Sequence, residues 1–253
     1  MALAPKRGLF ILLEGCDRTG KTTQVQLLQE ALTNLGHPVV SRRFPGGRTS
    51  DSPKSLSTLF RPLTLTCPSP YSIDRSTTVG KAIDEYLSSA LTLDDRAIHL
   101  LFSANRWEAM QELQKTLMEG THVIVDRYSA SGIAYSVAKG LPLDWCRDPD
   151  RGLLRPDLVL LLDQPIAIAA AREGWGKERY EKVEFQEQVR SCFHHLLRQE
   201  KNDWKVIDAS QELLKVHANL LEYVQQIIED PEVRSHPLSF DLWQRSSELS
   251  QEE

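Results

Sequence analysis

The chain has 253 residues, of which 41% are hydrophobic and 26% charged, an ordinary globular composition at a length that permits a sizeable core. A net charge of -5 and a pI of about 5.9 argue against nucleic acid or an anionic membrane surface as the main partner. No run approaches the ~18 apolar residues of a membrane span, and the first residues, MALAPKR, predict neither a secretory signal nor an organelle transit peptide.

The first part of the chain predicts a strand, a helix and a second strand. Gly8–Leu13 is a short apolar run before a glycine-rich turn, which is typical of a strand buried on both faces. Apolar residues at helical spacing predict a helix over Gly20–Leu35, ended by Gly36. Val39–Phe44 predicts the second strand, ended by Pro45.

The later part of the chain repeats this alternation. Asp94–Glu119 predicts one amphipathic helix that ends at Gly120. Strands are expected at His122–Val125, Asp157–Leu162 and Trp204–Ile207. Strands that alternate with helices indicate right-handed βαβ units, hence an α/β fold with a parallel sheet.

We expect residues 1–253 to form a single domain, because neither a repeat nor a second core is evident. Residues 229–253 are polar and rich in Ser and Glu, which predicts a loosely held tail. Residues 46–73 form an atypical segment of 28 residues with four prolines and no sustained periodicity, which predicts a mobile, protease-sensitive loop.

The spacing of the four cysteines matches neither a zinc site nor a disulfide framework. None of them forms a C-x-x-C pair, and they are Cys16, Cys67, Cys146 and Cys192. The simplest interpretation is reduced thiols in a cytosolic type of compartment.

Gly15–Thr22 matches the phosphate-binding pattern G-x-x-x-x-G-K-[ST], between a predicted buried strand and a predicted helix. The glycines let backbone N–H groups surround phosphate oxygens, and the helix N-terminus adds partial positive charge. Lys21 then reaches the β- and γ-phosphates, and the Thr22 hydroxyl coordinates Mg²⁺. The competing interpretation, a chance Gly/Lys turn, carries little weight in this context.

The strand at 122–125 is followed by Asp126 and Arg127. An acid at the carboxyl end of such a strand holds Mg²⁺ beside the phosphate loop, usually through water. The adjacent arginine is placed to clamp a phosphate and to spread transition-state charge. The alternative for this pair is a strand-end salt bridge.

Two further segments allow both a functional and an ordinary interpretation. Phe102 and Arg106 are i, i+4 neighbours that together suit a planar base, although spacing alone favours one core Phe and one surface Arg. Arg172–Tyr180 reads REGWGKERY. This composition is typical of a mobile lid that excludes water, and also of an ordinary exposed loop.

Taken in order, these motifs resemble those of thymidylate kinases. The resemblance covers residues 7–45 and 74 to about 243, and it rests on ILLEGCDRTGKTTQ, RFP, DRSTTVGKAIDEYL, HLLFSANRWE, VIVDRYSASGIAYS, LDWC, RPDLVLLLD, GKERYEKVEFQE and WKVIDAS. Arg18 inside the phosphate loop resembles the eukaryotic subgroup. The resemblance implies a P-loop kinase fold, in which helices flank a central parallel sheet and a mobile lid closes over it. It also implies ATP and Mg²⁺ as cofactors, dTMP as acceptor, a homodimer, and a cytoplasmic location, with nuclear or mitochondrial placement left open.

The resemblance also implies roles for individual residues. Arg18 would contact the γ-phosphate, Asp17 the 3′-hydroxyl of dTMP, Phe102 the face of thymine and Arg106 its edge. Catalysis would fall to Lys21, Arg18, Asp126 and Arg127, and the metal to Thr22 and Asp126. ATP would be held by Gly15, Arg18, Gly20, Lys21, Thr22, Thr23, Arg172, Ala209 and Ser210. The dTMP site would be formed by Asp17, Phe44, Arg75, Phe102, Arg106, Arg127, Ser131, Gly132, Tyr135, Tyr180 and Gln186.

The chain departs from the family pattern at residues 46–73, which separate Pro45 from Asp74. The break falls in the loop expected to hold the acceptor phosphate, so it bears most directly on Arg75. Its composition is more typical of incidental sequence, such as a splice variant or a gene-prediction artefact, than of an evolved element. Two alternatives to an active dTMP kinase follow: a related kinase for dUMP or a deoxynucleoside, and a nucleotide-binding isoform that the insertion has impaired.

Overall fold

The computed structural model describes residues 7–44, 77–172, 174–176, 179–199 and 204–244. Within them, a parallel sheet has the strand order β2-β3-β1-β4-β5. Its strands are β1 (Phe10–Glu14), β2 (Val39–Arg43), β3 (His122–Asp126), β4 (Leu158–Asp163) and β5 (Trp204–Asp208). The prediction of an α/β fold with a parallel sheet is confirmed.

The helices lie on both faces of this sheet. They are α1 (Lys21–Asn34), α2 (Thr78–Leu87), α3 (Asp95–Glu108), α4 (Met110–Met118), α5 (Ser129–Val137), α6 (Leu143–Arg147), α7 (Ile166–Ala170), α8 (Val183–Gln199), α9 (Leu213–Glu229) and α10 (Pro231–Ser235). A 3₁₀ turn, Asp148–Asp150, follows α6.

Side chains of β1 alternate between two cores, one on each face of the sheet. Phe10 and Leu12 pack with α4, α5 and α8, whereas Ile11 and Leu13 pack with α1 and α9. Successive strand residues point to opposite faces. A strand covered by helices on both sides is therefore apolar throughout, which is why the sequence signal for β1 is strong.

Residues 94–119 form two helices, so the prediction of a single helix is wrong. The backbone N–H of Ala109 bonds to the carbonyl of Arg106, three residues back, and α4 starts at the next residue. After the break, Met110 and Leu113 face the sheet core, whereas α3 buries polar groups such as Arg106. The apolar spacing continues across the change of direction, and spacing alone therefore does not reveal it.

The prediction of a loosely held tail from about Glu229 is wrong for the residues up to 244. Leu242 and Trp243 are each only 6% exposed and belong to the core under α5. The Leu242 backbone N–H donates to the Leu153 carbonyl at 3.3 Å, and the Leu242 carbonyl accepts from the Gly152 N–H at 3.2 Å. Leu242 and Trp243 order this polar segment, because burying their apolar surface offsets the conformational entropy that the segment loses.

Several predicted features lie outside the described residues: the 46–73 segment, Cys67 and Arg75. The other three cysteines, Cys16, Cys146 and Cys192, are buried free thiols. Of the helices that the structure describes, none has the length and apolar character needed to cross a membrane.

The fold brings two loops together at the carboxyl ends of β1 and β3. The two strands are paired in parallel, with Leu13 opposite Asp126. The order of strands changes direction beside β1, because β3 lies on one side of it and β4 on the other. Ligand sites of open α/β sheets occur at such a switch point, and the predicted phosphate loop begins there.

Candidate active site

The turn between β1 and α1 has the backbone shape that the phosphate-loop motif predicts. Gly15 has φ of 141°, and a Cβ at this position would lie 2.4 Å from the carbonyl oxygen of Leu162. Only glycine fits there. The turn closes around Lys21, whose Nζ donates to the Cys16 carbonyl at 2.5 Å and to Thr19 Oγ1 at 3.1 Å.

Lys21 is an ammonium held in a dry site. Lys21 is only 4% exposed, and this burial lowers the pKa of its ammonium from the ordinary value of 10.5 to about 8. The Arg127 guanidinium lowers that pKa further, whereas Asp126 and Asp17 act in the opposite direction. A buried cation beside another cation is the environment in which a polyphosphate anion binds strongly.

Thr22 and Asp126 meet as the metal prediction requires. Thr22 Oγ1 donates to Asp126 Oδ2 at 2.6 Å. Asp126 Oδ1 is buried without a hydrogen-bond partner among the described residues, and Arg43 Nε lies 3.7 Å from Oδ2. Among the described residues, no group of three His, Cys, Asp or Glu side chains converges. One carboxylate and one hydroxyl fit Mg²⁺, which takes its remaining ligands from water and phosphate.

Arg127 joins the strand-end loop to the phosphate loop. Its Nη2 lies 2.5 Å from Asp17 Oδ1, and its Nη1 donates to the Gly15 carbonyl at 3.2 Å. Nη1 also lies 3.4 Å from both Ser131 Oγ and Tyr135 Oη. The residue has φ of 69°, a left-handed conformation that is uncommon outside glycine and typical of functional sites.

Gln186, from α8, connects this pair to the aromatic residues beside it. Its Nε2 donates to Asp17 Oδ2 at 2.7 Å and to the Tyr180 carbonyl at 3.1 Å, and its Oε1 accepts from the backbone N–H of Asp17 at 3.0 Å. The Tyr135 and Tyr180 rings pack edge to face with centroids 5.5 Å apart. Six predicted acceptor-site residues therefore form one contact network: Asp17, Arg127, Ser131, Tyr135, Tyr180 and Gln186.

Arg106 is a buried cation, which rules out its interpretation as a surface residue. It is 2% exposed; its Nε donates to Asp150 Oδ1 at 3.2 Å. Its Nη2 lies 2.7 Å from Asp150 Oδ2 yet makes no hydrogen bond within the described residues. Gly132 on α5 allows this approach, because a Cβ there would lie 2.9 Å from both terminal nitrogens. A buried donor without a partner is a group that a ligand can satisfy.

Phe102 lies one helical turn before Arg106 and has a different environment. It is half-buried against a small cluster formed by Ile83, Tyr86 and Ile98 of helices α2 and α3. Tyr180 packs against the same cluster. A half-buried ring beside a buried arginine is an arrangement that suits one face and one edge of a planar base.

Comparison with known proteins decides the family. The family model described as thymidylate kinase matches residues 72–220. A thymidylate kinase from Schizosaccharomyces pombe is 41% identical over 224 residues, which cover 87% of this chain and 93% of the relative. The chain belongs to the thymidylate kinase family. The Homo sapiens thymidylate kinase is similar as well, with 40% identity over 86% of this chain and 90% of the relative.

A solved member of the family has the same fold. The thymidylate kinase of Candida albicans is 34% identical and superposes with a TM-score of 0.73, covering 93% of this chain and 98% of that one. The P-loop kinase fold expected from the motifs is thereby confirmed.

The segment predicted to form a lid, residues 172–180, is described at 172, 174–176, 179 and 180. Arg18, from the phosphate loop, donates to the Gly174 carbonyl at 2.9 Å and to Glu181 Oε1 at 2.5 Å. Arg172 Nη1 donates in return to the Arg18 carbonyl at 2.5 Å. The phosphate loop and the lid are therefore joined through Arg18, whose own φ is 57°.

Three of the remaining predicted positions have identifiable neighbours. Phe44 is 4% exposed and packs on Tyr128, so its side chain offers little surface to a ligand. The Ala209 backbone N–H donates to the Asp163 carbonyl, and Ser210 bonds to Asp208 at the end of β5. Thr23 lies in the first turn of α1, and Arg75 is outside the described residues.

Sequence reasoning missed three buried acids near these cations. Glu14 is fully buried and accepts from the backbone of Tyr128 and from Ser131 Oγ, at 2.9 and 2.5 Å. Asp150 holds Arg106, and Glu181 holds Arg18. A lone acid at the end of an apolar strand marks Glu14 in the sequence, whereas nothing local marks the other two.

Proposed function

We propose that this chain is a dTMP kinase, which transfers the γ-phosphoryl group of ATP to the phosphate of dTMP and releases dTDP and ADP. The observation that carries the proposal is the contact between Asp17 and Arg127. It joins the loop that would hold the donor phosphates to the arginine that would hold the acceptor phosphate. Two phosphates bound at such a junction face each other, as in-line transfer requires.

The donor side acts by electrostatics. Lys21 and Arg18 stabilise negative charge that develops on the transferred group, and the backbone N–H groups of the loop orient the phosphates. Thr22 and Asp126 would hold Mg²⁺, which would neutralise phosphate charge when bound. The pair is supported by the 2.6 Å contact between them and by the unpartnered Asp126 Oδ1.

The acceptor side distinguishes a deoxynucleotide by shape and by one base edge. Phe102 stacks on the pyrimidine, and Arg106 bonds to its edge through Nη2, which makes no hydrogen bond within the described residues. Tyr135 fills the space next to Asp17 and Gln186 that a ribose 2′-hydroxyl would require, since its hydroxyl lies 3.4 Å from Gln186 Nε2. Closure of residues 172–180 excludes water, which otherwise competes as acceptor.

The described residues give no support to an impaired isoform. Such a protein would need a damaged donor or acceptor site, yet within the described residues Thr22 contacts Asp126, Asp17 contacts Arg127, and Asp150 holds Arg106. A deoxynucleoside lacks the phosphate that the cation Arg127 would hold, so Arg127 favours an acceptor that carries a phosphate. It does not separate dTMP from dUMP, and the choice between those two falls to the assay below.

We further propose a single domain that acts as a homodimer in the cytoplasm. The exposed Leu100 and Trp107 of α3 provide apolar surface for a second copy, at 47% and 43% exposure. The free thiols of the described cysteines are in keeping with a reducing compartment. Light scattering on the purified chain tests the dimer.

A coupled assay of ADP formation tests the activity with four conditions: dTMP, dUMP, thymidine and no acceptor. The proposal predicts fast ADP release with dTMP, slower release with dUMP, and background rates with thymidine and without acceptor. Equal rates in all four conditions would mean that the protein is an ATPase or that the signal comes from a contaminant. Lys21→Ala is the control for contamination.

A further inference from the structure

The indole of Trp243, in the C-terminal segment, contacts Ser129, the first residue of α5. Trp243 Nε1 donates to Ser129 Oγ at 2.7 Å. Both residues are buried, at 6% and 1% exposure. The proposed reaction assigns no role to either residue, and 114 residues of sequence separate them.

This contact fixes the direction of a hydrogen-bond chain. An indole N–H is only a donor, so Ser129 Oγ accepts from it and turns its own hydrogen elsewhere. That hydrogen is directed to Asp150 Oδ2, 2.5 Å away. Asp150 is fully buried, and its carboxylate also accepts from Ser103 Oγ at 2.7 Å and from Arg106 Nε at 3.2 Å. The chain therefore runs from Trp243 through Ser129 and Asp150 to Arg106.

The segment is held in a conformation that would not persist without support. Trp243 has φ of 61°, which is rare and energetically unfavourable for a bulky residue. Arg151 Nη1 donates to the Trp243 carbonyl at 2.9 Å, and the Gly152 N–H donates to the Leu242 carbonyl at 3.2 Å. The Arg147 guanidinium lies 5.1 Å from the Trp243 ring centre. These contacts keep the indole at one position below α5.

We propose that Trp243 is a positioning residue for recognition of the acceptor base. It orients the Ser129 hydroxyl toward Asp150, which thereby holds the Arg106 guanidinium at one position beside Gly132. This inference rests on the proposed function, in which Arg106 contacts the pyrimidine edge. Without the indole N–H, Ser129 can rotate away, and Asp150 loses one of the donors that fix its carboxylate.

The test compares Trp243→Phe, which keeps an aromatic ring and removes the N–H, with Ser129→Ala, which removes the next link. Loss of one buried hydrogen bond predicts a rise in KM for dTMP of roughly three- to tenfold in each variant, with KM for ATP unchanged. The double variant should show the same rise as either single variant, because both break one chain. Ser136→Ala is the matched control, since this buried serine of α5 bonds to His99 at 2.7 Å, outside the chain.

Calorimetric titration separates base recognition from general damage. The variants should bind dTMP more weakly than the wild type and bind 2-deoxyribose 5-phosphate, which lacks the base, equally well. Unchanged dTMP binding in a folded Trp243→Phe protein, or in Ser129→Ala should the first variant not fold, would overturn the inference, and so would equal weakening for both ligands. Failure of the wild type to phosphorylate dTMP would instead overturn the proposed function.

Discussion

Asp17 Oδ1 and Arg127 Nη2 lie 2.5 Å apart, and this contact links the loop after β1 to the residue that follows β3. Asp17 is also bound by Gln186 through its other oxygen, at 2.7 Å. The guanidinium is therefore already aimed at the junction of the two loops. Because the Arg127 guanidinium is already held in place, little reorientation is needed when charge develops in the transition state.

Lys21→Ala should lower kcat by at least ~100-fold, the effect of losing one preorganised electrostatic contact. The thermal midpoint should not fall, because the substitution removes a buried charge whose pKa burial has lowered. Steady-state kinetics and a melting curve check both statements, with Lys205→Ala on the exposed side of β5 as the control. Near-native turnover by the folded variant would refute the phosphate-loop assignment.

The pH dependence should report Lys21. Because its pKa is about 8 in the free protein, kcat/KM for ATP should be constant below pH 8 and fall at higher pH as the ammonium loses its proton. Bound phosphates favour the ammonium, so kcat should fall only at still higher pH.

The lowered pKa of Lys21 also makes the free energy of unfolding depend on pH, and stability should rise over the pH range in which activity falls. Unfolded Lys21 has its ordinary pKa of 10.5, so the folded state carries a cost below about pH 8 that disappears as the pH rises toward 10.5. The stability advantage of Lys21→Met over the wild type should therefore shrink across this window. An advantage that stays constant, together with a kcat/KM for ATP that is flat up to pH 9.5, would contradict the account.

Gly132→Ala should raise KM for dTMP and leave KM for ATP unchanged. The new methyl group would lie 2.9 Å from the terminal nitrogens of Arg106 and must displace them, and a shift of about 1 Å at a binding group can cost ~100-fold in rate. The melting temperature should fall, because disturbing the buried Arg106–Asp150 pair costs more than the roughly 1 kcal/mol that alanine gains over glycine in a helix. If KM for dTMP does not change, Arg106 does not contact the base.

Much of the fold follows from local sequence signals. The strands were predictable to within about two residues. The signal is strongest for β1, β3 and β4, because buried parallel strands are near-continuous apolar runs. The phosphate loop was predictable because its glycines and lysine are adjacent in sequence. Phe102 and Arg106 were assigned by resemblance, since their spacing alone favoured an ordinary interpretation.

The missed features depend on contacts between residues far apart in sequence. Arg106 is buried because Asp150, 44 residues later, neutralises it. Trp243 is buried because α5 and the segment near Leu153 cover it. The break at Ala109 follows from a change in what each helix packs against. Composition and periodicity describe one segment at a time and carry no information about such partners.

Deletion of residues 46–73, which lie outside the described residues, should keep the fold and keep or raise kcat/KM for dTMP. The segment has a composition that offsets little of its ordering entropy, and a direct link from Pro45 to Asp74 would confine Arg75 near the acceptor phosphate. Kinetics of both proteins with dTMP as the varied substrate check this. Loss of activity in a folded deletion variant would identify the segment as a functional element.

The central claim is that this chain moves the γ-phosphoryl group of ATP onto dTMP. The most direct measurement follows radioactive γ-phosphate from ATP in the presence of dTMP and Mg²⁺ and separates the products by chromatography. The account predicts that the label appears in dTDP, in a one-to-one ratio with ADP, and that Lys21→Ala abolishes it. Label released as inorganic phosphate at a rate that does not depend on dTMP would contradict the account.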